Sequence, residues 1–194
     1  MQERLTVKDF YQTPTLVSAI EIDNLQKAFF VGEWLFVTTK DAPIVLQQYS
    51  LKSKSKKKEY LLPFEGLAGV DILGDTIALF FNNNEDLWVC IGDKTLGMKS
   101  HFMPITALIT HKRNIYTGSA DMTIRIWNPK NGTLVQDPKL HALSAHTGSV
   151  NFLVSLDEFL MSASSDRSVV VWRGTNIHAK KTFPSEVTLI ADCA

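Results

Sequence analysis

Two segments of the chain carry the same landmark residues at the same spacing, shifted by 45 positions. Residues 101–127 read HFMPITALITHKRNIYTGSADMTIRIW, and residues 146–172 read HTGSVNFLVSLDEFLMSASSDRSVVVW. In both copies a histidine stands 20 residues before an aspartate and 26 residues before a tryptophan. An internal repeat of this length restricts the fold to architectures in which one supersecondary unit follows another.

The repeating unit is built from strands. Short runs rich in β-branched and aromatic residues recur along the chain, separated by Gly, Asn, Asp and Ser, and helical spacing is not sustained anywhere. This pattern predicts an all-β fold. The clearest predicted strands are 34–39, 44–51, 75–81, 114–119, 123–127, 159–164 and 168–172.

A weaker copy of the template precedes the two clear ones. Over residues 64–90, Asn84 takes the aspartate position and Cys90 takes the tryptophan position. If the preceding hairpin is two residues shorter, Trp88 takes the tryptophan position instead. Both registers bury the same face, because side chains alternate along a strand with period 2. The sequence leaves these two registers open.

A fourth copy covers residues 25–49 and puts Tyr49 in the tryptophan position. The expected organisation is therefore one partial domain over residues 1–194. Its predicted parts are a strand region at 1–24, repeat units at 25–63, 64–100, 101–145 and 146–182, and the start of a further unit at 183–194.

The segments GSADMTIRIWN and SASSDRSVVVWR resemble the WD-repeat β-propeller family in their strand, tight turn and strand ending in Trp. The two upstream histidines match the Gly-His position of that family. Two departures are clear: Ser100 or Ala145 precedes the histidine in place of Gly, and Asn128 or Arg173 follows the tryptophan in place of Asp. The resemblance covers roughly residues 25–190.

The resemblance implies that each repeat is a blade of four antiparallel strands held by a buried tetrad of His, a hydroxyl residue, Asp and Trp. Such a network is chemically reasonable, because a buried carboxylate must be paired with hydrogen-bond donors. The positions that match are His101, Thr117, Ser119, Asp121 and Trp127 in one copy, and His146, Ser162, Ser164, Asp166 and Trp172 in the other.

The length of the chain limits the number of blades. At about 40 residues per blade, 194 residues supply four blades and part of a fifth, whereas propellers close with about 4 to 8 blades. We therefore expect an all-β, incomplete WD-repeat β-propeller of about four to five four-stranded antiparallel blades. Such a chain is expected to need further blades or a second chain to close the ring.

His101, Ser119 and Asp121 are also the residue types of a catalytic triad. The same trio recurs 45 positions later, whereas a triad occurs once, beside an oxyanion hole. No Gly-rich phosphate loop is present, and the five histidines show no paired spacing. The sequence therefore predicts a protein that is not an enzyme and has no catalytic residue, metal site or cofactor.

The resemblance further implies that partner peptides bind the face formed by the loops into the first strand of each blade and the turns between the second and third strands. The corresponding residues are Phe102, Pro104, Ala120, Thr147, Ser149 and Ser165. The expected function is a protein–protein interaction scaffold within a multiprotein complex, with partner proteins that the sequence does not identify. The alternative that Phe102 and its neighbours only seal the top of a central channel stays open.

Five lysines occupy seven positions in the run KSKSKKK, namely Lys52, Lys54, Lys56, Lys57 and Lys58. The run is predicted to form a loop between the third and fourth strands of the unit 25–63. A basic cluster can contact phosphates, so an RNA-associated or ribosome-assembly subunit is an alternative function. A solvated loop is the simpler interpretation, since no aromatic residue interleaves with the lysines.

A substrate-recognition part of a ubiquitin ligase is a third interpretation of the function, suggested by the short hairpins between the first two strands of each blade.

Composition supports an intracellular, cytoplasmic or nuclear protein that does not contact a membrane. The 20 basic and 20 acidic side chains cancel, so no net field draws in nucleic acid or an anionic surface. No apolar run approaches the roughly 20 residues that span a bilayer, and charges occupy the positions of a signal-peptide core. Cys90 and Cys193 lie far apart and outside any zinc-binding motif.

Overall fold

The computed structural model describes residues 5–6, 20–40, 43–99, 101–128 and 142–187. Every regular element in these residues is a β-strand, so the predicted all-β class is confirmed. No helix capable of crossing a membrane is found in these described ranges. Ser100 and Cys193 lie outside them, as do most of the region 1–24 and residues 188–194.

The chain forms two compact units, Met1–Glu65 and Gly66–Ala194. In the first unit, β1 (Leu5–Thr6) pairs with β2 (Glu21–Ile22) in an antiparallel ribbon. The same unit contains sheet 1, a four-stranded antiparallel sheet in sequential order. Its strands are β3 (Leu25–Val31), β4 (Trp34–Thr39), β5 (Val45–Ser50) and β6 (Ser55–Leu61).

The second unit contains three further four-stranded antiparallel sheets of the same topology. Sheet 2 consists of β7 (Leu67–Leu73), β8 (Thr76–Phe81), β9 (Asp86–Ile91) and β10 (Lys94–Lys99). Sheet 3 consists of β11 (Ile105–His111), β12 (Asn114–Ser119), β13 (Thr123–Trp127) and β14 (Leu143–Ser144). Sheet 4 consists of β15 (Val150–Leu156), β16 (Phe159–Ser164), β17 (Ser168–Arg173) and β18 (Asn176–Thr182). The four sheets are consistent with an incomplete propeller. Residues 183–187 contain no strand.

Two-residue turns join the first two strands of each sheet in a common backbone conformation. The first turn residue has a positive φ in every sheet: Gly32 at 57° and Gly74 at 60°, then Lys112 at 56° and Asp157 at 48°. Glycine adopts this conformation without steric cost, whereas Lys112 and Asp157 adopt it at some cost. The turn position is therefore set by the repeat, even where the residue does not favour it.

The core of the second unit lies between its sheets. Between sheets 2 and 3, Trp127 packs among the buried residues Ala78, Leu87, Val89, Ile105 and Ile115. Between sheets 3 and 4, Trp172 belongs to a second buried cluster with Tyr116, Ile124, Ile126, Val150, Leu153, Leu160 and Val170. Each tryptophan of the 45-residue repeat therefore packs the third strand of its own sheet against the apolar side chains between the sheets. Burial and dispersion there stabilise the packing of one sheet on the next.

Hydrogen bonds also join neighbouring first strands in the second unit. A carboxylate oxygen of Asp71 on β7 accepts the backbone N–H of Thr110 on β11 at 2.5 Å. One sheet later, Nδ1 of His111 on β11 lies 2.7 Å from the hydroxyl of Ser155 on β15. Thr110 and Ser155 are equivalent positions, 45 residues apart. The equivalent residue of each first strand therefore hydrogen bonds to the preceding sheet. Thr110 uses its backbone N–H and Ser155 uses its hydroxyl.

The register of sheet 2 selects between the two alignments that the sequence left open. Ile77 pairs with Cys90, as Ile115 pairs with Trp127 in sheet 3. Cys90 therefore occupies the tryptophan position and is fully buried, with its Sγ 3.5 Å from the Thr95 hydroxyl. Trp88 instead pairs with Leu79 and lies two residues before the tryptophan position on β9.

Candidate functional site

A chain of buried hydrogen bonds crosses sheet 3. The indole N–H of Trp127 donates to the Thr117 hydroxyl oxygen at 2.9 Å. The same oxygen lies 2.8 Å from Nε2 of His101, and Nδ1 of His101 lies 2.8 Å from the Asp121 carboxylate. Because an indole nitrogen only donates, the hydroxyl accepts from Trp127 and its own proton is free to point to Nε2. Nδ1 then carries the imidazole proton and donates to Asp121.

Sheet 4 repeats this network with serine in place of threonine. Trp172 donates to the Ser162 hydroxyl at 2.9 Å, and Nε2 of His146 lies 2.8 Å from the same oxygen. Nδ1 of His146 lies 3.1 Å from the Asp166 carboxylate. The network therefore depends on the hydroxyl and not on the methyl group of Thr117.

A further hydroxyl in each sheet belongs to the network and was missed from the sequence. Thr123 donates to Asp121 from its hydroxyl at 2.6 Å and from its backbone N–H at 3.0 Å. Ser168 does the same to Asp166, at 2.7 and 2.8 Å. The available signal was a hydroxyl residue two positions after each aspartate, repeated at the 45-residue shift.

These contacts determine the charge state of each pair. Burial alone would raise the pKa of Asp121, but hydrogen bonds from Thr123, from His101 and from the Phe102 backbone hold it below its ordinary value. Asp166 follows the same balance, and hydrogen bonds from Ser168, Thr147 and His146 hold its pKa far below the ordinary value. Burial lowers the pKa of His101 and of His146 despite the neighbouring carboxylates. Each pair is therefore a neutral imidazole that donates to a carboxylate.

Ser119 and Ser164 lie outside the histidine contacts, in contrast to the arrangement that a triad would require. The Ser119 hydroxyl accepts the backbone N–H of Asp121 at 3.0 Å and donates to the carbonyls of Met103 and Pro104. The Ser164 hydroxyl accepts the Asp166 N–H at 3.1 Å. Neither serine contacts an imidazole that could take its proton. Their hydroxyls instead stabilise the turn between the second and third strands of each sheet.

The carboxylates also hold the loops of the predicted partner-binding face. Asp121 accepts the backbone N–H of Phe102 at 3.2 Å, and Asp166 accepts that of Thr147 at 2.9 Å. Backbone bonds from Ala120 to Pro104 and from Ser165 to Ser149, each 3.0 Å long, close the same loop pairs. All six predicted residues therefore lie on loops that are tied directly to the buried networks.

The two loop pairs differ in polarity. On sheet 3, Phe102 is 87% exposed, Met103 is 48% exposed and Met122 is 45% exposed. We call these three residues the apolar patch. On sheet 4, the exposed residues at the equivalent loops include Thr147 and Ser165. Met122 was not among the predicted residues; its position just after Asp121 in the exposed turn was the signal that could have indicated it.

A cavity of about 410 Å³ lies beside Phe102, where the chain crosses from sheet 2 to sheet 3. Its lining consists of Glu85, Asp86, Lys99, His101, Phe102 and Arg125. The Arg125 guanidinium carbon lies 5.3 Å from the centre of the Phe102 ring, in cation–π geometry. Apart from Phe102 and His101, these residues were not predicted, because they are distant in sequence and carry no repeat signal.

The lysine run is only partly a loop, which corrects the sequence prediction. Lys52 and Lys54 lie in the turn after β5, whereas Lys56, Lys57 and Lys58 lie on β6, because that segment pairs with β5 as an antiparallel strand. Lys56 forms an exposed ion pair with Glu59 at 2.8 Å. The Lys58 ammonium lies 5.2 Å from the centre of the Tyr60 ring.

Within the described part of the chain, no cluster of His, Cys, Asp and Glu could hold a metal ion.

The chain shares recognisable repeats with known proteins. The family model for the WD domain, G-beta repeat matches residues 92–128 and 138–173. An uncharacterized WD repeat-containing protein of Schizosaccharomyces pombe is 44% identical over 62 residues. That match covers 31% of this chain and 15% of the yeast protein, so the chain spans a small part of its relative.

Among solved structures, the computationally designed Ika4 protein has a similar fold, with a TM-score of 0.59 at 18% identity. The match covers 77% of this chain and 90% of the designed one. Together with the four sheets of four antiparallel strands, these matches confirm the predicted resemblance: the chain carries WD40 repeats and fits the WD-repeat β-propeller family.

Proposed function

We propose that the chain is a non-enzymatic scaffold in a multiprotein complex and that it binds a partner protein through the apolar patch. WD repeats generally serve protein interactions, and the patch is the specific feature of this chain that supports the proposal. The strongest support for the proposal is Phe102, whose side chain is 87% exposed although its backbone N–H donates to the Asp121 carboxylate. Exposed aromatic groups are common at the centres of protein interfaces.

The buried network makes this presentation rigid. Phe102 and Met122 flank Asp121, which bonds to both His101 and Thr123 and is thereby fixed in sheet 3. A partner that contacts a preorganised loop loses less conformational entropy on binding than one that must order the loop first. Exposed apolar groups that are held rigidly are therefore better suited to recognition than the same groups on a mobile loop.

The hydrogen bonds also support the non-enzymatic part of the proposal. Both imidazole nitrogens of His101 are engaged, one with Thr117 and one with Asp121. The same is true of His146 with Ser162 and Asp166. The hydroxyls that the two Nε2 atoms contact, those of Thr117 and Ser162, are fully buried and therefore out of reach of a substrate. An intracellular compartment completes the proposal, since the two cysteines, Cys90 and Cys193, lie far apart in the sequence and form no cysteine-rich disulfide pattern.

The lysine run supports RNA binding less well than it supports protection of an edge strand. β6 is the outer strand of sheet 1, and charged side chains, lysine above all, prevent such edges from pairing with other chains. Lys56 is already neutralised by Glu59, and Lys58 lies beside Tyr60. We therefore place partner recognition at the apolar patch and not at the lysines.

Quantitative affinity capture with matched variants tests the proposal. The wild-type chain, the double variant Phe102→Ser/Met122→Ser and a control double variant Leu156→Ser/Ile177→Ser are immobilised and exposed to nuclease-treated cell extract. Leu156 and Ile177 are 43% and 52% exposed and lie away from the patch loops, on β15 and β18. We expect at least one protein to be retained by the wild type and control but reduced about tenfold or more by the patch variant.

The captured protein is then purified and its direct binding to all three chains is measured by calorimetry. Equal binding by the patch variant and the wild type would contradict the proposal. Retention from a parallel, untreated extract that is absent from the nuclease-treated extract would instead indicate an RNA-mediated contact.

A further inference from the structure

The cavity between sheets 2 and 3 contains an unusual set of unpaired charges. Glu85 and Asp86 supply two carboxylates, and Lys99 and Arg125 supply two cations. None of these four side chains forms an ion pair within the part of the chain that the structure describes. Lys99 and Asp86 are even direct cross-strand neighbours on β10 and β9, yet they do not close a salt bridge.

Arg125 is the most constrained of the four. Its Nε atom is buried and has no hydrogen-bond partner among the described residues, while its guanidinium lies over the Phe102 ring. A buried polar group without a partner is costly and rare in folded proteins. A guanidinium that stacks on an aromatic ring with one face keeps its edge available for a planar anion such as a carboxylate.

The rest of the wall restricts which anion fits. Phe102 supplies an apolar surface, and both ring nitrogens of His101 are already bonded, so His101 offers no free donor. The nearby carboxylates of Glu85 and Asp86 would repel a doubly charged phosphate more strongly than a singly charged carboxylate. The same two carboxylates would attract a cation next to the bound anion. The lining carries zero net charge, with both signs present.

We infer that this cavity binds a pair of adjacent acidic and basic side chains from a peptide segment of the partner protein. The carboxylate lies against Arg125 and Lys99, and the basic group lies against Glu85 and Asp86. A cavity of about 410 Å³ is within the usual range for ligand sites, which is about 300–1,000 Å³. The inference rests on the proposed function, because Phe102 belongs both to the apolar patch and to the cavity wall.

Capped hexapeptides with a central Glu-Lys pair between glycines test this inference on the whole chain. Binding is followed by NMR through the side-chain Nε–H signal of Arg125 and the backbone signal of Phe102. Matched peptides replace Glu by Gln, Lys by Gln, or Glu by phosphoserine. We expect the Glu-Lys peptide to bind most tightly and each Gln replacement to weaken binding by about fivefold or more. Weakening by salt is also expected, since the contacts are charged.

Variants of the chain locate the contact. Arg125→Gln and Lys99→Gln are each expected to remove the preference for Glu over Gln, while Arg113→Gln, at an exposed hairpin turn, keeps it. Lys99 is exposed, so Lys99→Gln retains the test if Arg125→Gln does not fold.

Three results would overturn the inference: no peptide binds, the Gln peptides bind as well as the Glu-Lys peptide, or the phosphoserine peptide binds more tightly. If any of them occurs while capture still depends on Phe102 and Met122, the proposed function stands without this site. If capture is also independent of those residues, both proposals fail.

Discussion

Trp127 and His101 hydrogen bond to the same atom, the hydroxyl oxygen of Thr117, at 2.9 and 2.8 Å. This shared contact links the core between sheets 2 and 3 to the exposed loop at Phe102, because His101 in turn holds Asp121 and Asp121 holds the loop. A change at Thr117 therefore has consequences at both ends of the network. Ser162 plays the same part in sheet 4.

Thr117→Val keeps the shape of the side chain and removes its hydroxyl. The Trp127 N–H then loses its acceptor and Nε2 of His101 loses its donor, both in a buried site. We expect a loss of about 2–4 kcal/mol in the free energy of unfolding, since each buried unsatisfied group costs about 1–3 kcal/mol. Urea denaturation followed by tryptophan fluorescence measures it. Thr147→Ala, at an exposed position, is the control, and an equal effect of the two changes would contradict the network.

The stability of the chain should fall as the pH is lowered from neutral. The pKa values of His101 and His146 are depressed in the folded state, mainly by burial, and those of Asp121 and Asp166 are depressed by hydrogen bonds that outweigh burial. The unfolded chain therefore binds more protons, first at the histidines below about pH 6.5 and then at the aspartates below about pH 3.9. Both steps lower the free energy of unfolding as the pH falls.

Urea denaturation at several pH values between 7 and the acid transition checks this direction. Asp121→Asn removes one of the carboxyl groups whose pKa is lowered in the folded state, so the free energy of unfolding should fall less steeply at acidic pH. Asp75→Asn, at an exposed position, serves as control. Stability that rises on acidification over this range would contradict the assignment of neutral histidine and ionised aspartate.

Asp71→Asn tests the contact between the first strands of sheets 2 and 3. One carboxylate oxygen accepts the Ile72 N–H at 2.7 Å and the other accepts the Thr110 N–H at 2.5 Å. An amide of the same size turns one acceptor into a donor that faces an N–H group, so we expect a loss of about 1–3 kcal/mol. The Thr110 amide proton should also exchange faster with solvent. Asp157→Asn, in an exposed turn of sheet 4, should leave both quantities unchanged.

Gly97→Ala tests a glycine–aromatic pair in sheet 2. Gly97 lies directly opposite Trp88, and a Cβ atom at position 97 would come within 2.7 Å of the Trp88 ring. The ring must move, which we expect to destabilise the chain by about 1–3 kcal/mol. Because the three atoms nearest to the added Cβ all belong to that ring, the cost of Gly97→Ala should be much smaller in a Trp88→Leu background. Additive effects in the double-mutant cycle would contradict the pairing.

The repeat was readable from the sequence because its signals are local. The first three strands of sheets 3 and 4, the turns between them and the four residue types of the network recur at a fixed shift of 45. The structure brings His101, Thr117, Asp121 and Trp127 together. Asn84 also takes the aspartate position, since its side-chain oxygen accepts the Asp86 N–H at 2.7 Å, much as Asp121 accepts that of Thr123.

Three features depended on the tertiary structure. The choice of Cys90 over Trp88 required the actual hairpin length, because a shift of two residues leaves the same side chains on the same face. The lysines of β6 were assigned to a loop because the pairing of that strand with β5 is not visible in its composition. Ser119 was grouped with the histidine by residue type, although its hydroxyl bonds to backbone groups instead.

The sequence by itself therefore determined the strand pattern, the repeat and the resemblance to WD repeats, because alternation and turn residues act over a few neighbouring positions. Only the tertiary structure decided which groups meet across sheets. Arg125 reaches Phe102 and a cavity lined by Glu85 and Asp86 because sheets 2 and 3 stack, which brings together residues about 40 positions apart. No local pattern encodes that meeting, since it depends on packing between sheets.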